Sequence, residues 1–308
     1  MTSSAAAPPC CPPGSLPALA FEYKPKGEHF EIIVPPSSSS DEHRPSPPPV
    51  EAYVAGASGN DASWKGKPVV VMMCDAFGPF SGMHRKLADE FALETGGIAL
   101  LPDPFEGTGG FCPTYQDEGD TPNQLGFNLF TLKALLSILW NGKSFTRQFP
   151  WEPNGKRLYT DKLIPFLASK GVDKFALMGF CYGCWFVMRA CGEEDIVKQH
   201  VACGIHFHPS TELVEQTLGG DDIALCVTCQ KPQMVHATKG ESCNWKPNGK
   251  AHKLLEENNN VPEVQYSIAP SSQSHGFMTR VDVSKEENMA AVREGIDKAV
   301  AFLKKYNA

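Results

Sequence analysis

The chain carries one stretch whose residue types and order suit covalent chemistry. Lys174 to Met178 reads as an apolar strand. It runs into Gly179-Phe180-Cys181-Tyr182-Gly183, and a helical stretch follows. A G-x-C-x-G turn between strand and helix is the thiol form of a nucleophile elbow. So sharp a turn holds its central residue in a strained backbone conformation and needs small neighbours, hence Gly179 and Gly183. It lifts the Cys181 sulfur above the sheet and sets it at a helix N-terminus, whose dipole favours a thiolate. The Tyr182 amide would then point at an oxyanion formed during acyl transfer. The competing reading is a buried cysteine in a glycine-bracketed turn, and the flanking strand and helix favour the elbow. A further alternative is a redox or zinc pair, because Cys181 and Cys184, like Cys226 and Cys229, have C-x-x-C spacing. Zinc needs four ligands, and near the second pair only His236 is available, so no metal is expected.

A nucleophile of this kind needs a base and an acid further along the chain, in the order nucleophile, acid, histidine. Of nine histidines, His29 and His43 precede the core. His84 and His252 fall in helical stretches and are expected to be solvated. His200, His206 and His236 lie in or beside strands, where a hydrogen-bonded core histidine is the common case. His208 opens a loop after a strand. His275 sits in the polar loop Ser271 to Phe277, after the strand 264–268 and before the last helix, and is preferred over His208 as the base. Glu241 is the first carboxylate past the strand 233–237, and its expected role is to orient the imidazole and stabilise the imidazolium.

The elements that would carry these groups alternate. Strands are expected at 50–54, 68–74, 98–102, 174–178, 201–207, 233–237 and 264–268. Helices are expected at 81–95, 122–141, 158–170, 182–191, 249–259 and 286–305. Repeated strand–helix units predict a mostly parallel, doubly wound α/β sheet with helices on both faces. Residues 1–49 read as a Pro/Ser-rich N-terminal extension with a short strand near 29–34, and residues 50–308 as a single domain.

Composition narrows the function. Of the 308 residues, 42% are hydrophobic and 20% charged, which excludes a wholly disordered chain. No apolar run approaches the roughly 18 residues of a membrane span. The net charge is −7 and no basic cluster appears, so neither nucleic acid nor membrane is an expected partner. The start has no basic residue and no apolar signal core, and the eleven cysteines are expected to be mostly reduced thiols, so the expected location is the cytoplasm. Nothing suggests a self-complementary helix, and a monomer is expected.

The residues resemble the dienelactone hydrolase (carboxymethylenebutenolidase) family, particularly its eukaryotic members. The resemblance rests on the cysteine elbow 179–183 and on His275-Gly276-Phe277, supported by Cys10 to Ser15, Lys24 to Gly27, Cys74 to Gly78 and Leu101 to Gly107. It implies an α/β-hydrolase fold and a Cys–acid–His triad that opens esters or lactones of small acids without cofactor or metal. Cys181 would be the nucleophile, His275 the general base and Glu241 the acid, where the family usually has Asp. The oxyanion amides would be Tyr182 and Ala76. Asp75 stands where a family Glu helps to activate the thiol, and is one methylene shorter. Arg280 lies near the position of the arginine that binds the substrate carboxylate. The expected activity is cysteine-dependent hydrolysis of a small ester or lactone. Its rivals are an inactive hydrolase scaffold used for binding, for which Asp75 and Glu241 would speak, and a redox-sensing thiol protein. The loops 106–120 and 141–157 would shape the pocket, and Phe80, Phe111, Tyr115 and Trp151 hint that it is apolar.

Overall fold

The computed structural model describes residues 23–34, 48–106, 150–198, 200–210, 225–241 and 244–307. The helix expected at 122–141, and Phe111 and Tyr115, lie outside them. Eight strands form one sheet: β1 (Glu28–Ile32), β2 (Val50–Ala55), β3 (Val69–Met73), β4 (Ile98–Pro102), β5 (Phe175–Phe180), β6 (Val201–Phe207), β7 (Gln233–Ala237) and β8 (Val264–Ile268). Their order is β1-β2-β4-β3-β5-β6-β7-β8. From β4 to β8 every neighbour runs parallel, while β1 and β2 pair antiparallel with each other and β2 with β4.

The helices are α1 (His84–Thr95), α2 (Ile164–Ser169), α3 (Gly183–Gly192), α4 (Glu194–Val197), α5 (Leu225–Thr228), α6 (Lys250–Glu257) and α7 (Glu286–Tyr306). Two π-type turns, Trp151–Lys156 and Leu158–Leu163, lead into α2. The crossover β3–α1–β4 steps one way along the sheet and β5–α3–β6 steps the other way. Right-handed crossovers therefore put α1 and α3 on opposite faces. α1 packs on α7, and α3 packs on α4 and α5. Both faces of β3, β4 and β5 are covered, which is why these strands are continuous apolar runs with every residue buried.

The N-terminal strand lies at Glu28–Ile32 rather than 29–34, and it extends the same sheet. Asp89 of α1 fastens its start. This buried carboxylate accepts the Tyr53 hydroxyl at 2.7 Å, the Lys26 amide at 2.8 Å and the Gly27 amide at 3.1 Å, as well as the Tyr23 hydroxyl. Such a contact joins residues far apart in the chain, and no local pattern announces it.

The winding reverses between β3 and β5. In an open α/β sheet, the crevice for a ligand forms at such a point, outside the carboxyl ends of the strands. Met73 and Gly179 are register partners there, so the segments that follow them, 74–78 and 181–183, emerge side by side.

Candidate active site

Cys181 follows β5 directly, with φ +52°, a left-handed conformation unusual for a residue with a side chain. Three backbone bonds hold it there. Its amide donates to the Phe207 carbonyl at 3.1 Å, and its carbonyl accepts the Ser210 amide and the Cys184 amide, each at 3.1 Å. Close packing explains both glycines of the motif. A Cβ at Gly179 would lie 2.6 Å from the Cys184 amide nitrogen, and one at Gly183 would lie 2.2 Å from the Met73 carbonyl oxygen. The elbow is therefore seated on the end of β3, and α3 starts at Gly183 immediately beyond the cysteine. Cys181 itself is 2% exposed.

His275 and Glu241, from loops after β8 and β7, meet: His275 Nδ1 lies 2.7 Å from Glu241 Oε2, with both side chains buried. The other oxygen, Oε1, accepts the Thr238 hydroxyl at 2.8 Å and the Thr238 amide at 3.3 Å. The carboxylate is thus fixed at both ends, and the longer reach of Glu is absorbed by the turn that carries it. Held in this way, Nδ1 keeps the proton and Nε2 is the basic nitrogen.

Asp75 and Arg280, two residues considered apart in the sequence, form one buried ion pair. Arg280 Nε donates to Asp75 Oδ2 at 2.7 Å and Nη2 donates to Oδ1 at 2.8 Å. The Thr279 hydroxyl adds 3.1 Å to Oδ2, and the Phe77 amide 3.0 Å to Oδ1. Burial would raise the Asp75 carboxyl, but the Arg280 guanidinium overrides it and holds the acid far below the ordinary carboxylate range. Nη2 also donates to Ser81 Oγ at 2.8 Å, and Arg280 Cζ lies 4.0 Å from the Phe77 ring centroid. The side chain expected to meet a substrate carboxylate is therefore engaged by Asp75.

This pair holds the loop after β3, whose amides sort clearly. The Asp75 amide donates to His84 Nε2, the Phe77 amide to Asp75 Oδ1, and the Gly78 amide to the Asp75 carbonyl. Among the described residues, the Ala76 amide meets no acceptor. That leaves Ala76 as the one donor of the 75–78 turn available to an incoming oxyanion.

Several expectations change. His84 is not solvated: it is fully buried at the start of α1, with Nδ1 2.7 Å from the Ser81 carbonyl. His252 is buried too, stacked on Tyr266 with ring centroids 3.9 Å apart. Helical periodicity reads one helix at a time, and these faces are covered by the loop after β3 with Phe180 of β5 at His84, and by Tyr266 of β8 at His252. His206 and His236 are core histidines as expected, bonded to Gln233 and Ser267 at 2.7 Å each. Burial pushes each down to about 4. His208 is buried with φ +39°, and its ring centroid lies 5.0 Å from that of His275. Burial, then the neighbouring His275, pushes its pKa well below the ordinary value. Trp151 packs in an aromatic core with Tyr159 and Trp185.

The second C-x-x-C pair is packing: both cysteines are buried, and Cys229 Sγ lies 3.9 Å from Met188 Sδ. Among the described residues, no cluster of His, Cys, Asp and Glu has the geometry of a metal site, and no helix is long and apolar enough to cross a membrane.

A mostly parallel sheet whose winding reverses, with helices on both faces, is the α/β-hydrolase fold; Cys181 stands at the reversal, and the buried His275–Glu241 pair sits on loops from the same ends of the strands. The model of the dienelactone hydrolase family matches residues 50–307, and the chain belongs to that family. Among solved structures, a dienelactone hydrolase from Anabaena variabilis is 13% identical, with a TM-score of 0.45 over 93% of this chain and 100% of its own. An esterase from Pyrococcus furiosus is 12% identical, with a TM-score of 0.49 over 95% of this chain and 97% of its own. No curated protein matches the chain by sequence.

Proposed function

We propose that the protein hydrolyses a small carboxylic ester or lactone through an acyl-thioester on Cys181. The observation that carries the proposal is a strained, glycine-bracketed cysteine at the winding reversal together with the buried His275–Glu241 pair. His275 Nε2 takes the thiol proton and the thiolate attacks the carbonyl carbon. The tetrahedral oxyanion is held by the amides of Ala76 and Tyr182. Collapse breaks the carbon–oxygen bond, and the imidazolium returns its proton to the departing alkoxide. In a lactone that alcohol stays on the acyl chain. His275 then deprotonates a water that attacks the thioester, and the acid leaves as the thiol is restored.

Asp75 has both oxygens engaged by Arg280, Thr279 and Phe77, so His275 is the base in this scheme. Arg280 acts on a substrate carboxylate only by loosening Asp75, which makes an anionic substrate a trigger for rearrangement beside the thiol. The inert-scaffold reading drew on Asp75 and Glu241; the Glu241–His275 contact is intact at 2.7 Å, and Asp75, held by Arg280, carries no proton in this scheme. The redox reading needs Cys184 as a partner thiol. Cys184 is buried, its Sγ 3.4 Å from the Phe207 carbonyl, and burial followed by the nearby Glu241 charge raises its thiol well above the ordinary value. Such a thiol is a poor redox partner.

The test is p-nitrophenyl acetate hydrolysis by wild type and Cys181→Ala, with intact-mass detection of an acetyl adduct. A burst and an adduct in wild type alone are expected. Equal turnover in the folded variant refutes the proposal.

A further inference from the structure

His84 was no part of the expected machinery, yet it occupies a decisive place. Its imidazole lies between the loop after β3 and Phe180, the last residue of β5. Nδ1 donates to the Ser81 carbonyl at 2.7 Å, and Nε2 accepts the Asp75 amide at 3.2 Å. The ring also stands edge-on to Phe180, the residue before Cys181, with centroids 5.6 Å apart. Both bonds require one tautomer, the neutral ring protonated on Nδ1, because a second proton on Nε2 would face the Asp75 N–H.

The position of the Ala76 amide depends on this ring. The peptide groups of residues 75–78 turn sharply, and the Asp75 N–H is the first donor of the turn. Its acceptor fixes the Cys74–Asp75 peptide, while the Gly78 amide holds the carbonyl of the next peptide, the one that carries the Ala76 N–H, so the two bonds together aim that N–H. The Ser81 end pins the same ring to the far side of the loop, where Ser81 Oγ meets Arg280. His84 therefore spans the loop as a strut, with Phe180 as its stop on the nucleophile side. Burial lowers its pKa, against the opposing pull of Asp75, which keeps the accepting lone pair available.

We infer that His84 is a positioning residue that aims the Ala76 amide at the oxyanion by accepting the Asp75 N–H while donating to the Ser81 carbonyl. The inference rests on the acyl-thioester reading above. It predicts a selective defect: reactions of Cys181 that build a tetrahedral oxyanion need His84, and reactions that do not build one are indifferent to it.

Two variants of the full chain separate the two bonds. In His84→Asn the amide reaches the Nδ1 position and keeps the Ser81 contact but not the Asp75 one. In His84→Gln the side chain reaches the Nε2 position, and its oxygen accepts the Asp75 N–H. Acetylation of Cys181 by p-nitrophenyl acetate passes through an oxyanion. Alkylation by iodoacetamide, a displacement at a saturated carbon, does not. We expect His84→Asn to slow acetylation by about 10- to 100-fold, the scale of a misplaced oxyanion donor. Alkylation should change by less than about twofold, and His84→Gln should recover most of the acetylation rate. Acetylation and alkylation falling together, equal acetylation in both variants, or loss of the native near-ultraviolet signal in His84→Asn each overturns the inference. Absence of any adduct in wild type overturns instead the thioester reading beneath it.

Discussion

Replacing Gly183 by alanine probes the contact that joins the elbow to the end of β3 and the loop after it. The added Cβ would lie 2.2 Å from the Met73 carbonyl oxygen and 2.6 Å from that of Cys74, where ordinary contact begins near 3.4 Å. Both obstacles are main-chain atoms at the end of a buried central strand, so neither rotates aside. α3 and the end of β3 must part by about 1 Å. Overpacking of this kind costs about 1–3 kcal/mol, and a rigid backbone on both sides puts this case at the upper end. Activity suffers separately, because the parting moves Cys181 relative to the Ala76 amide, and a shift of about 1 Å at a reacting centre costs on the order of 100-fold in rate. Gly240→Ala is the control: its Cβ meets nothing nearer than Thr238 Oγ1 at 3.9 Å, although it lies beside Glu241. Urea unfolding gives the stability and p-nitrophenyl acetate turnover gives the rate. If Gly183→Ala unfolds within about 0.5 kcal/mol of wild type and turns over within twofold, the strand end and the elbow do not touch as described, and the oxyanion argument falls with them.

Two further expectations concern ionisable groups. Glu241→Gln offers His275 an amide that no longer fixes the tautomer, so turnover should fall by about 10³–10⁴ with little change in unfolding. A drop below tenfold, measured by steady-state kinetics, would remove Glu241 from the triad. For pH, His206 and His236 are held neutral in the fold down to about 4, whereas in the unfolded chain they titrate near the ordinary 6.5. Between these values the unfolded chain binds protons that the folded chain refuses, so stability falls as pH drops from 6.5 towards 4. The loss approaches about 3 kcal/mol per histidine. Urea midpoints that stay flat from pH 6.5 to 4.5 would refute that burial.

Local spacing carries far in this chain. The elbow is legible because its chemistry and its geometry need the same residues: two glycines that touch backbone and a cysteine between a strand and a helix. Glu241 and His275 are legible because this sheet delivers its loops to one edge, so the first carboxylate after β7 and the first histidine after β8 arrive there. The alternation of strand and helix signals suffices for the parallel sheet, since strands covered on both faces must be apolar throughout.

The tertiary structure decided what distant residues do to one another. Asp75 and Arg280 are 205 positions apart, and nothing local says that one neutralises the other. His84 reads as a solvated helix residue until the loop after β3 folds over it. β1 reads as part of a tail until Asp89 gathers the amides of Lys26 and Gly27 into the domain. Periodicity reports which face of an element is apolar, a property of neighbours along the chain. Which buried polar group finds which partner is set by how the loops close at the sheet edge, and only the assembled fold fixes that.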